Sequence, residues 1–123
     1  MSVTEDFFQN IYKLIEKTDK NDITVSKIDN NSGYSDWTCN IDNFTFTVGR
    51  YISLERFLSI WIDSNPVGEI SGSEFRKELT TLEDKLYLIY SAKKDAEKKE
   101  KMNSIMNTVN EFLNKKIVDK MMK

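Results

Sequence analysis

Trp37-Thr38-Cys39-Asn40-Ile41-Asp42-Asn43-Phe44-Thr45-Phe46-Thr47-Val48 is the stretch whose reading sets the fold class. Apolar and polar residues alternate on both sides of Asp42-Asn43, the period of a strand with one buried face. A two-residue hairpin turn at Asp42-Asn43 makes Ile41 face Phe44, Cys39 face Phe46 and Trp37 face Val48, so every apolar side chain lands on one face. A slip of one residue would carry one strand's apolar set to the other face, and the pattern therefore dictates its own register.

Working toward the N-terminus, Ile23 and Val25 alternate with Thr24 and Ser26 as a further short strand, closed by the loop Asp29-Asn30-Asn31-Ser32-Gly33. Before it, Ser2 and Glu5 have the spacing of a capping box, and Phe7, Phe8, Ile11, Leu14 and Ile15 recur at helical intervals. An amphipathic helix over residues 3–18 follows, ended by the turn-forming cluster Thr18-Asp19-Lys20-Asn21-Asp22.

Working toward the C-terminus, Ser53 can cap a second helix, with Ile52 and Phe57 at the spacing of a hydrophobic staple. Leu54, Phe57, Leu58, Trp61 and Ile62 then obey the helical spacing rule, and Asp63-Ser64-Asn65-Pro66 ends the run. The following loop passes Gly68 and Gly72 to Ser71 or Ser73, either of which can cap the next helix. From residue 73 to 123 there is neither Gly nor Pro. Phe75, Leu79, Leu82, Leu86 and Ile89 form one stripe, but its register continues onto Lys93, Ala96, Glu100, Asn103 and Asn107, so the stripe dies near residue 90. A second stripe, Met102, Ile105, Met106, Val109, Leu113 and Ile117, starts later, and Val109 lies about 200° around the axis from Ile89. Either the chain turns near Ser91 to Glu97, with Asp95 as a cap, or one long helix keeps its second stripe for another chain. The turn is the expectation, because lone helices of this length are rare.

The expected product is a single α+β domain over residues 1–123, in the order α-β-β-β-α-α-α. Residues 1–72 give helix, sheet and helix, and residues 73–123 a helical region, hairpin or long helix. A three-stranded antiparallel meander packs against the N-terminal helix and the C-terminal helices.

The composition suits one modest core: 39% hydrophobic and 11% aromatic residues against 31% charged in 123 residues. The net charge of −2 is unevenly spread, with 6 basic and 11 acidic residues up to Ser73 and 12 against 9 thereafter. Neither half has the basic field that draws a chain onto nucleic acid or an anionic membrane. Cys39 is the only cysteine, which excludes an internal disulfide and points to the cytoplasm. The acids at Glu5 and Asp6 do not suit a secretory leader, and no apolar run reaches bilayer length, so no membrane is expected. The acceptor patterns Asn30-Asn31-Ser32 and Asn43-Phe44-Thr45 therefore carry no weight.

The chain has no histidine, which removes the commonest general base, the Ser-His and Cys-His nucleophile pairs and the commonest zinc ligand. Acids such as Asp36, Asp42, Glu55 and Asp63 are scattered, with no pair singled out for carboxylate catalysis. Asp29-Asn30-Asn31-Ser32-Gly33 begins like a calcium loop but fails at its fifth and sixth positions, Gly33 and Tyr34. The glycines at 33, 49, 68 and 72 form neither a P-loop nor a dinucleotide fingerprint. Lys93 to Lys101 interleaves five lysines with three acids and offers no aromatic or arginine for base contacts, which argues against nucleic acid. No catalytic, metal or cofactor residue is assigned, and Cys39 is expected as a packed, inert thiol.

What remains is binding. Methionine adapts to irregular partner surfaces. The second stripe is thus either core or a partner-binding face, with Met102, Ile105, Met106, Val109 and Phe112 as candidates, and Asp29, Asp36 and Asp42 as acidic candidates in the front half. By elimination the chain is expected to be a small protein-binding inhibitor of immunity, antitoxin-like or phage counter-defence type that occupies a surface of a larger protein. Its abundance of Asn, Lys, Ile and Asp fits an AT-rich genome such as a phage's. The alternative is a homodimeric adaptor or chaperone-like assembly protein built on the C-terminal helix.

Overall fold

The computed structural model of the chain describes residues 2–30 and 33–122. Helix α1 (Val3–Lys17) is followed by five strands, β1 (Ile23–Asp29), β2 (Ser35–Ile41), β3 (Phe44–Arg50), β4 (Arg56–Ile62) and β5 (Asn65–Ser71), and by helix α2 (Arg76–Met121). The chain is α+β, and its strands form one antiparallel meander in the order β1-β2-β3-β4-β5. Contacts divide it into two compact units, residues 1–90 and residues 91–123.

In the first unit α1 begins where the capping residues put it: the Ser2 hydroxyl accepts the Glu5 N–H at 3.2 Å. It ends at Thr18, whose N–H and hydroxyl both donate to the Leu14 carbonyl. Phe8, Ile11 and Ile15 form its buried stripe. The Asp42-Asn43 hairpin has the expected register, Ile41 opposite Phe44, Cys39 opposite Phe46 and Trp37 opposite Val48. The row Val25-Cys39-Phe46-Ile60 runs across four strands of the buried face. Leu79, Leu82, Leu86 and Ile89 of α2 complete the core with the stripe of α1. The Trp37 ring meets Tyr90 edge-on at 5.3 Å and Tyr87 at 5.8 Å.

The sheet has five strands rather than three, because the segment expected to be a helix from Ser53 to Ile62 is β4. Its apolar residues satisfy both periods: Leu58, Ile60 and Ile62 alternate with Phe57, Ser59 and Trp61 as well as following helical spacing. A helix there would have left the second edge of β3 with unpaired backbone groups, whereas a strand pairs all seven residues from Phe44 to Arg50. Ser53 lies instead in the loop 51–55, closed by Tyr51 N–H to the Glu55 carbonyl at 2.9 Å. Asp63 and Ser64, expected to end a helix, are the two turn residues of a tight hairpin, with φ of 53° and 66°. Pro66 is tolerated because β5 is an edge strand. The serines proposed as caps for the next helix do not act so: Gly72 precedes the short turn Ser73–Phe75, with no side-chain hydrogen bond at its cap.

The expected turn near residues 91–97 is likewise absent. α2 is one helix of 46 residues, and Asp95 lies inside it. With neither Gly nor Pro in the segment and Lys, Glu, Ala and Met filling it, nothing local breaks the backbone ladder. The order is therefore α-β-β-β-β-β-α, with one C-terminal helix in place of several.

Candidate protein-binding surface

The second unit is the C-terminal part of α2, and every residue from Lys94 to Met122 is exposed. On an ordinary surface helix the exposed positions are polar. Here Met102, Val109 and Leu113 are 47% exposed, Met106 54%, Ile105 and Ile117 55% and Phe112 58%. The second stripe is thus exposed along its own unit. The Phe112 ring carries the Lys116 ammonium 5.6 Å from its centroid. Around the stripe, Thr108 is satisfied locally by donating to the Ser104 carbonyl at 3.0 Å. In the preceding charged run, the Lys94–Glu97 pair spans 3.9 Å between exposed side chains and contributes little.

Of the acidic candidates, Asp29 and Asp36 lie one register step apart on β1 and β2, and Asp42 stands apart from both. Asp29, at the end of β1, accepts the Ser35 hydroxyl at 2.8 Å and pairs with Lys27 at 3.7 Å. Asp36, the second residue of β2, is half-buried and accepts the Asn30 amide at 2.7 Å. Asp42 sits at the other end of β2, roughly 20 Å away at about 3.3 Å per residue. Asn31 and Ser32 of the proposed acidic loop lie outside the described residues.

Sequence reasoning missed three further features of the first unit. The half-buried Glu83 holds two guanidiniums, Arg50 at 3.3 Å and Arg56 at 3.7 Å, and Arg50 also stacks 4.0 Å above the Tyr34 ring. Arg56 and Arg76 border a small cavity of about 210 Å³ with Ser53, Glu55 and Ser73. Only the residue type could have marked this region: the chain has three arginines, and arginine suits partly buried ion pairs better than lysine does. Second, the outer face of the sheet carries hydroxyl pairs such as Thr38–Thr47 at 2.9 Å beside Trp61, a face legible only once β4 is a strand. Third, an open apolar cleft of about 530 Å³ lies among Val3, Phe7, Phe8, Ile70 and Phe75.

Cys39 is wholly buried. Among the described residues no three Cys, Asp or Glu side chains gather to hold a metal ion. Tyr12 titrates above the usual phenol range, chiefly because it is desolvated and then because Glu78 lies near, and its hydroxyl donates to the Glu78 carbonyl at 2.9 Å. That bond ties α1 to α2. Among the described residues no helix is long and apolar enough to cross a membrane. No family model, curated protein or solved structure matches the chain. What the fold defines is an antiparallel five-stranded meander whose buried face packs against α1 and the Leu79–Ile89 stripe of α2, followed by a helical unit whose apolar face is exposed.

Proposed function

We propose that this protein acts by stoichiometric, non-covalent protein binding and not by turnover, with the apolar face of α2 from Met102 to Ile117 as its binding surface. One observation carries the proposal: the large apolar side chains of that face are about half exposed along four turns of helix. A free helix with nothing buried is held by propensity alone, and most helical stability in proteins comes from packing an apolar face. Met102 and Met106 suit an interface that must adapt to its partner. The absence of histidine and the burial of the one thiol support a non-catalytic role.

Two modes share the surface. In the assembly mode the chain is an adaptor or chaperone-like protein that oligomerises on this face. In the inhibitor mode, of immunity, antitoxin-like or phage counter-defence type, the same face or the acids of the first unit occupy a larger cytoplasmic target. The stripe favours assembly, since Asp42, in the turn after β2, lies far from Asp29 and Asp36 and the three make no single acidic surface. The test is capture from the native host with tagged wild type and with Val109→Asp. A partner, or the untagged chain itself, should be retained by the wild type and reduced at least tenfold by the substitution. Equal recovery removes this face from the binding surface.

A further inference from the structure

We propose that the cavity between the loop 51–55 and the start of α2 binds a phosphate group, held by the guanidiniums of Arg56 and Arg76. This site lies in the first unit and is independent of the exposed helix face.

Of the 18 basic residues in the chain three are arginines, and all three gather in this region. Arg50 and Arg56 face each other across β3 and β4 and share the carboxylate of Glu83, at 3.3 and 3.7 Å. One carboxylate between two guanidiniums leaves a positive charge over. Arg56 Nε is buried without a hydrogen-bond partner, so the shared carboxylate does not satisfy it. Arg76 borders the same cavity, and its side chain makes no ion pair or hydrogen bond among the described residues. The hydroxyls of Ser53 and Ser73 are likewise without a hydrogen-bond partner there. Against the two guanidiniums the lining sets one acid, Glu55, which forms no ion pair among the described residues. Glu74 has its carboxylate beside Gly72 and is not part of the lining. Arg76 is also the first residue of α2, so the positive end of that helix dipole acts in the same sense as its guanidinium.

The size and the donors select the ligand. A cavity of about 210 Å³ is smaller than the roughly 300 Å³ at which sites for whole small molecules begin, so it takes one charged group rather than a cofactor. Its donors come from three segments, the loop 51–55, the start of β4 and the start of α2. One guanidinium fork already serves the two oxygens of a carboxylate, whereas two forks and two hydroxyls suit the several oxygens of a phosphate. The loop has a fixed shape: Leu54 N–H donates to the Tyr51 carbonyl at 2.8 Å and Tyr51 N–H to the Glu55 carbonyl at 2.9 Å. Leu54, a bulky residue, is held at a φ of 71°, the kind of local strain that clusters at ligand clamps.

Titration of the isotope-labelled full-length chain with inorganic phosphate and with methyl phosphate, followed by amide NMR shifts, tests the site. Binding should saturate with a midpoint at or below about 1 mM at low ionic strength. The amides that move should be those of residues 53–56 and 72–76. Arg76→Gln should weaken binding about tenfold or more, by loss of a charge-assisted hydrogen bond. Its near-UV spectrum should match the wild type, since no ion pair of the fold is removed. Glu55→Gln should tighten binding about twofold or more by removing a like charge. Lys98→Gln/Lys101→Gln, in the charged run of α2, should leave it unchanged. Phosphate affinity should rise with pH through about 6, where the second phosphate proton leaves, and sulfate, whose charge is constant there, should show no such rise. With no histidine in the chain, that difference reports the ligand and not the protein. Equal midpoints for the two probes make the free ion the ligand, and a tighter methyl phosphate assigns the site to a phosphate carried on a larger molecule. No saturation by about 10 mM of either probe overturns the site. Binding that Arg76→Gln leaves intact, or that the lysine variant weakens equally, overturns it as well.

Discussion

At the residue scale, Gly49 shows how a single side chain is excluded. A Cβ at this position would come within 2.6 Å of the Asp36 carboxyl carbon and 2.8 Å of the Phe57 ring, and closer still to a carboxylate oxygen of Asp36. Asp36 is held there by Asn30 and Phe57 by the stacked Tyr51 ring 4.8 Å away, so neither yields freely. Gly49→Ala should therefore cost about 1–3 kcal/mol, read as a lower denaturant midpoint with an unchanged slope. Tyr12 gives a pH signature. Its folded pKa is raised, so the folded state holds the phenolic proton over a pH range in which the unfolded chain has lost it. The contribution is fully present below about pH 10, the unfolded value, and is lost as pH rises from there through the folded pKa. Tyr12→Phe should flatten that alkaline loss of stability while costing about 0.5–1.5 kcal/mol at neutral pH for the missing hydrogen bond to Glu78. The core residue Cys39 was legible in the sequence from alternation alone, whereas the Gly49 contact joins β2, β3 and β4 and had no local signal.

At the element scale, the hairpin at Asp42-Asn43 and the helix capped by Ser2 were readable because each obeys one period and one set of end signals. The segment 56–62 was not, since it is apolar on both faces and fits two periods at once. Its identity depends on β3, whose free edge it pairs, and on a turn whose residues are neither glycine nor asparagine. Asp63 and Ser64 both adopt the left-handed region, which costs an L-residue roughly 1–2 kcal/mol. Ser64→Gly should accordingly raise the stability of the first unit by about 1 kcal/mol, measured by chemical denaturation. In a helical segment the same substitution would be destabilising, so the sign discriminates. The C-terminal helix was half legible: the end of its first stripe and the rotated start of its second were evident, but both a turn and a continuous helix were compatible with those residues.

At the scale of the whole molecule, every buried core residue among the described residues lies between Phe8 and Ile89. A chain ending at Tyr90 should retain the near-UV spectrum and cooperative melting of the intact protein, because no buried contact of the core is removed. Leu82→Ala should cost about 2–5 kcal/mol of stability by leaving a cavity between the helices and the sheet. Leu113→Ala, chemically the same change on the exposed face, should leave melting of the first unit within about 0.5 kcal/mol. The contrast between two leucines of one helix separates residues that build the fold from residues offered to a partner. Of the candidate site, the five apolar members share one helix face, and the three acids do not share a surface.

From the amino-acid order alone came the fold class, the Asp42-Asn43 hairpin with its register, the N-terminal helix, the lone buried thiol and the two opposed stripes, because each depends on contacts within a few residues or on a simple period. The tertiary structure decided the five-stranded sheet, the unbroken C-terminal helix and which stripe is covered. Those depend on whether another segment is present to pair a strand edge or bury a face, and that competition is settled only when the whole chain is in place.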